Sequence, residues 1–182
     1  MGKLIWHQVV LFSVLTLLTL MRYLTGTVGF DISLLWWWLG GMIGFLFVFA
    51  DRLVYALMSH PEAALSLKLK ELFGKGKIVT GLAFALTERE KQDKLMMRSV
   101  LFLVVWAILT VLTLTSIANT FSRGFMLGLG THLVFDLGWD YWTAGRRDIG
   151  LWFWQIRNVT KTEMTIFVWG TFVFYALTVW FL

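Results

Sequence analysis

Gly124-Phe-Met-Leu-Gly128-Leu-Gly-Thr-His132-Leu-Val-Phe-Asp136-Leu-Gly-Trp-Asp140 is the stretch on which the reading of the fold turns. Its marked residues recur at every fourth position: Gly124, Gly128, His132, Asp136, Asp140. On a helix that spacing draws one slowly drifting stripe, small at one end and ionisable at the other. Everything around the stripe is apolar, so a histidine and two acids sit in or beside a helix suited to lipid. Ionisable groups in such a place are expensive and mark a site by default.

Working outward, the composition fits that reading. The chain has 182 residues, 58% hydrophobic and only 15% charged, with 11 Trp and 16 Phe. A soluble domain carries about 25% charge and roughly 45–50% apolar residues. The expected class is therefore all-α, a polytopic transmembrane helix bundle. Cysteine is absent, which excludes disulfides, thiolate-held zinc and iron–sulfur clusters. The net charge of +5 does not imply nucleic acid, because the placement of the basic residues points to topology instead.

On either side of the stretch the chain reads as alternating spans and connections. Residues 4–21 form a first apolar span, uncleaved because no small-residue processing site follows it. Residues 34–58 form a second, opening on Trp36, Trp37 and Trp38, with Gly40 and Gly44 at the spacing that lets helices approach closely. Residues 1–58 thus make one unit. Residues 59–98 make a second, an amphipathic helical hairpin on the inner membrane face. Pro61 opens its first helix, Gly74 and Gly76 stop it, and Thr87 with Glu90 forms a capping box that predicts a further helix through 88–98. Residues 99–182 hold a third span at 99–118, a short fourth at 124–139, an inner-face loop and interfacial helix at 139–163, and a fifth span at about 164–182. Thr160 and Glu163 form the capping box that opens the last.

Five crossings place about 14 of the Lys and Arg residues on one side and 2, Arg22 and Arg123, on the other. Without the fourth crossing the division is about 10 to 6, so five spans obey the positive-inside rule better. The expected location is a cytoplasmic membrane of bacterial type, with the N-terminus cytoplasmic and the C-terminus outside.

In that topology His7, Asp51, His60, His132, Asp136 and Asp140 all gather at the inner end. Glycine-mediated contact between spans two and four, through Gly40, Gly44, Gly124 and Gly128, would bring Asp51 toward His132 and Asp136. Leu127 is expected to face elsewhere. His132 and Asp136, one turn apart, suit zinc, iron or manganese. Asp51 is the expected third ligand and Asp140 a partner of the ligands or a catalytic base. The His132-x-x-x-Asp136 motif resembles one found in membrane-bound metal-dependent hydrolases, which carry His and Asp at helix spacing in short spans. That resemblance implies a hydrolase with a divalent metal. Against it stands a structural reading, in which the buried polar groups satisfy one another and fix helix register. The sequence taken alone favours the latter: a non-enzymatic packing or partner-binding membrane protein, an assembly or scaffold factor with no cofactor. The alternatives are the hydrolase using Asp51, His132 and Asp136, and a small oligomeric proton- or ion-coupled transporter. Expected partners are membrane lipids, with Lys68, Lys70, Lys75 and Lys77 as candidates for lipid head groups, and a protein partner or second copy meeting the glycine-lined spans or the hairpin.

Overall fold

The computed structural model describes residues 2–26, 29–87, 95–116, 119–144, 146–156 and 159–181. Among the described residues eight α-helices follow in order: α1 Gly2–Leu24, α2 Ile32–Val54, α3 Ala64–Gly74, α4 Ile78–Thr87, α5 Val100–Ser116, α6 Thr120–Trp139, α7 Arg146–Trp152 and α8 Lys161–Phe181. Among the described residues there is no strand. Three helical stretches, Ile5–Leu24, Ile32–Ser59 and Lys161–Phe181, are long and apolar enough to cross a membrane. Helix α5 is apolar but shorter.

Helix α6 is the axis of the bundle. Asn119 caps it by accepting the Phe121 N–H at 2.9 Å, so the helix starts at Thr120 and runs 20 residues. At 1.5 Å per residue that is about 30 Å, the thickness of a hydrocarbon core. The helix thus starts four residues before the expected 124, because Asn119 caps it, and α6 is not among the three stretches long and apolar enough to cross. Most of α6 is buried, from Gly124 through Gly138.

Helices α2 and α6 run parallel. Trp37 and Gly40 face Phe121 and Gly124, Gly41 faces Gly128, and Phe45 faces His132. Helix α1 runs antiparallel to α2, since Leu15 meets Gly41 and Thr19 meets Trp38. Helices α5 and α8 run antiparallel to α6, with Trp106 against Gly130, Tyr175 on Thr131 and Phe172 against Gly138.

The α2–α6 seam is a contact of backbone on backbone. A Cβ on Gly40 would collide with the Phe121 carbonyl oxygen, on Gly44 with that of Phe125, on Gly124 with that of Trp37 and on Gly128 with that of Gly41. Carbonyl oxygens cannot swing aside as a side-chain tip can, so only glycine permits this approach. These glycines meet backbone within the chain.

Two apolar clusters flank the seam. One joins Leu11, Leu15, Leu18, Trp37, Phe45 and Leu127 across α1, α2 and α6. Leu127, expected to face away, is therefore core: α6 is enclosed on nearly every side, and its stripe is not its sole packing face. The other cluster joins Trp106, Leu133, Leu137, Ile149, Trp152 and Val168 across α5 to α8. The outward faces of α1, α5 and α8 carry exposed Phe12, Leu17, Ile108, Ile166 and Trp180. Such a surface is compatible with lipid.

The hairpin is α3 and α4, joined through Gly76 at φ 72°, a left-handed turn position that suits glycine. Its small core is Ala56, Leu65, Leu69 and Ala85. Arg52 reaches from α2 to donate to the Ala85 carbonyl at 3.3 Å. Of the helix expected through 88–98, residues 88–94 lie outside the described residues. Residues 95–99 form bends, and α5 begins only at Val100. The bend has a cause: the Met96 and Met97 N–H groups donate to the Asp51 carboxylate at 3.2 and 2.6 Å instead of entering a helix. Residues 140–144, also within the expected inner-face loop, extend α6 as a π-helical turn, and α7 follows.

Candidate metal centre

Three helices meet at the end of the seam where α2 and α6 finish and α1 begins. His7, near the start of α1, is 4% exposed; His132 and Asp136, one turn apart on α6, are 1% and 2% exposed. His7 Nε2 lies 2.9 Å from Asp136 Oδ1, and His132 Nε2 lies 3.7 Å from Asp136 Oδ2. One ligand atom from each of the three residues can be chosen so that all lie within 4.8 Å of one another. The rings of Phe45, Phe49 and Phe135 enclose the two imidazoles, with centroids 4.4 to 4.7 Å away at the nearest pairs.

The state of His132 follows from its other nitrogen. Nδ1 sits 2.8 Å from the Phe45 carbonyl oxygen, which can only accept, so Nδ1 carries the hydrogen. In the neutral ring Nε2 is then a bare lone pair, and it faces a carboxylate oxygen. Two acceptors opposed in a dry site require a positive centre between or beside them. A proton on Nε2, the Arg98 guanidinium 3.5 Å from Asp136 Oδ2, or a metal ion can each supply it. A backbone carbonyl that fixes the tautomer of a ligating histidine is the usual support of metal sites. A tetrahedral ion with bonds of about 2.1 Å wants its ligand atoms about 3.4 Å apart. The 2.9 and 3.7 Å separations are to different oxygens of Asp136, and one atom from each residue lies within 4.8 Å of the others, so side chains would have to rotate to close to that spacing.

Arg98 closes the cluster from the 95–99 bend. Its Nε lies 3.5 Å from Asp136 Oδ2, and its Nη2 is paired with Asp140. The Trp152 indole N–H also donates to Asp140 Oδ2, at 3.0 Å. Asp140 therefore orients Arg98, which in turn orients Asp136. Asp140 sits beside the His7–His132–Asp136 cluster rather than within it.

The structure thus brings together His132 and Asp136 and adds His7 to them. Asp51, expected as the third ligand, is buried at the same end of the bundle but its two oxygens hold Met96 and Met97. It pins the return of the chain from the hairpin, and through that return it fixes Arg98. His60 stands apart against Tyr55, ring centroids 4.6 Å apart. Among the hairpin lysines, Lys68 lies over the Phe84 ring, Lys70 donates to the Pro61 carbonyl, Lys75 pairs with Glu71 and Lys77 is exposed. The Lys75 ammonium, bonded to Glu71, holds that carboxyl below its usual range.

No family model, no curated protein and no solved structure matches the chain. Fold and site define the class alone: an all-helical bundle, compatible with a membrane location, with a buried histidine–aspartate cluster at one end.

Proposed function

We propose that this is an integral membrane protein built around a divalent transition metal held by His7, His132 and Asp136, and that the metal serves a hydrolytic reaction. The observation that carries the reading is the convergence of those three buried donors from two helices, with His132 already set in the ligating tautomer. The addition of His7 raises the metal reading above the scaffold reading that the sequence alone favours. Two imidazoles and a carboxylate suit zinc, iron or manganese. Three protein ligands leave a fourth position open, which is the pattern of catalytic rather than structural zinc. A metal so held would supply an activated water. Arg98, tied down by Asp140, keeps Asp136 in place beside it.

The parallel pair α2 and α6 against α1, α5 and α8 supports five crossings. The N-terminus, the hairpin and the metal cluster then lie at the cytoplasmic face and the C-terminus outside, in a cytoplasmic membrane of bacterial type.

A second reading is a non-enzymatic scaffold whose cluster pins helix register. The observation that favours it is Arg98, which already neutralises part of the acidic charge on Asp136 and Asp140. Elemental analysis of the detergent-purified protein, carrying a tag that binds no metal, separates the two. The metal reading expects about one zinc, iron or manganese per chain, lost in His132→Ala. Metal-free protein of undiminished stability leaves the scaffold reading standing.

A further inference from the structure

The hairpin carries a surface that the metal centre does not use. Helix α4 has no charged residue along its length. Ile78, Val79 and Leu82 share one of its faces and are 60%, 81% and 38% exposed. A helix face turned to water ordinarily carries charge. The neighbouring α3 does so, with Lys68, Lys70 and Glu71 exposed. The other side of α4 is packed: Gly81 lies against the Phe73 ring, and Ala85 sits in the hairpin core.

The root of the hairpin sets its depth. Helix α2 starts at Ile32, on the Asp31 cap, and Arg52 stands twenty residues further along. At 1.5 Å per residue that is about 30 Å, one hydrocarbon core. Arg52 donates to the Ala85 carbonyl near the end of α4, and Leu53 and Ala56 pack into the hairpin core beside Leu65 and Leu69. In the orientation proposed for the bundle, the hairpin therefore meets α2 where the inner hydrocarbon ends and the head groups begin. At its tip, Lys77 is exposed immediately before α4, and Lys75, bonded to Glu71, stands two residues earlier. Residues 61–87 hold four lysines against two glutamates. Basic residues beside an uncharged apolar helix face, at head-group depth, are the pattern of a helix lying in a membrane interface.

We infer that α4 lies in the inner membrane interface, with Ile78, Val79 and Leu82 inserted below the phosphates and Lys77 among anionic head groups. The lipid surface of the protein's own membrane is favoured over a protein partner because α2 already holds the hairpin at that depth. The inference rests on the integral-membrane reading and is independent of the metal.

The chain has no cysteine, so a single introduced cysteine takes a fluorescent label at one chosen position. Three full-length variants, Leu46→Cys on the outer face of α2, Val79→Cys and Glu62→Cys, are labelled and reconstituted in phosphatidylcholine vesicles with and without phosphatidylglycerol. All three native side chains are exposed, so the substitutions should leave the fold intact. Nitroxide-bearing lipid should quench the Leu46 and Val79 probes several-fold more than the Glu62 probe, and iodide on both sides of the membrane should do the reverse. Lys77→Gln added to Val79→Cys should lower the ratio of inserted to free probe about fivefold in the vesicles that contain phosphatidylglycerol. An unchanged ratio would overturn the part given to Lys77. Iodide quenching at Val79 as strong as at Glu62, with Leu46 still in lipid, would overturn the inference and leave the integral-membrane reading standing. Loss of lipid quenching at Leu46 would overturn that reading and the inference with it. A Val79 probe shielded from both quenchers would mean that a second copy covers the face, and would overturn lipid as its occupant.

Discussion

Asp136 is the residue on which most contacts depend. His7, His132 and Arg98 all converge on its carboxylate. Asp136→Leu should therefore reduce thermal stability in detergent although it makes the helix more apolar. Removing one partner from a buried charged network costs about 3–5 kcal/mol, because the others are left unpaired. An unchanged melting temperature would show that the cluster does not hold the helices. Asp51 makes the contrasting prediction. Asp51→Ala frees two backbone N–H groups, at about 1–3 kcal/mol, but should leave metal content unaltered. Loss of metal in Asp51→Ala at intact fold would return Asp51 to the ligand set. At this scale the His132–Asp136 pair is legible in the sequence, since four-residue spacing on a helix fixes a shared face. The third member of the cluster is not, because His7 is separated from Asp136 by 129 positions and only the crossing of α1 over α6 joins them.

Among the elements, the α2–α6 seam decides how tightly the bundle closes. Gly128→Ala places a Cβ against the Gly41 carbonyl oxygen, and overpacking of this kind costs about 1–3 kcal/mol. Leu46→Ala, on the outer face of α2, should cost under about 0.5 kcal/mol. The comparison is a pair of detergent melting curves, and equal shifts would show that the helices do not meet at the glycines. Leu127→Ala is no neutral control, since Leu127 is 1% exposed in the core. The glycine stripe announces the seam in the sequence, because repeated small residues at fourth positions have few other uses in a lipid-grade helix. The start of α6 and the bend at residues 95–99 do not announce themselves. The first depends on the asparagine cap, and the second on a carboxylate 45 residues away that takes the N–H groups a helix would have used.

For the molecule as a whole, the proposed orientation puts the end that holds His7, His132, Asp136 and Asp140 at the cytoplasmic face and the end that holds Arg22 and Arg123 at the other. Reporter fusions after Lys75 and after Thr143 should report the cytoplasmic side, and one at the C-terminus the outside. A cytoplasmic C-terminus would mean that α6 does not cross and that the two ends are not at opposite interfaces. The helical class, compatible with a membrane, is legible from composition because a chain this apolar and so poor in charge carries long stretches that suit lipid. The proposed reaction is not, since no residue spacing encodes the shape by which a substrate would be recognised. The most direct measurement is X-ray absorption on the purified protein at the edge of whichever metal it carries. Nitrogen and oxygen neighbours are expected at about 2.0–2.1 Å with the scattering of two imidazoles, falling to one in His7→Ala. A bound metal whose imidazole scattering is unchanged by His7→Ala, or protein without metal, would contradict it.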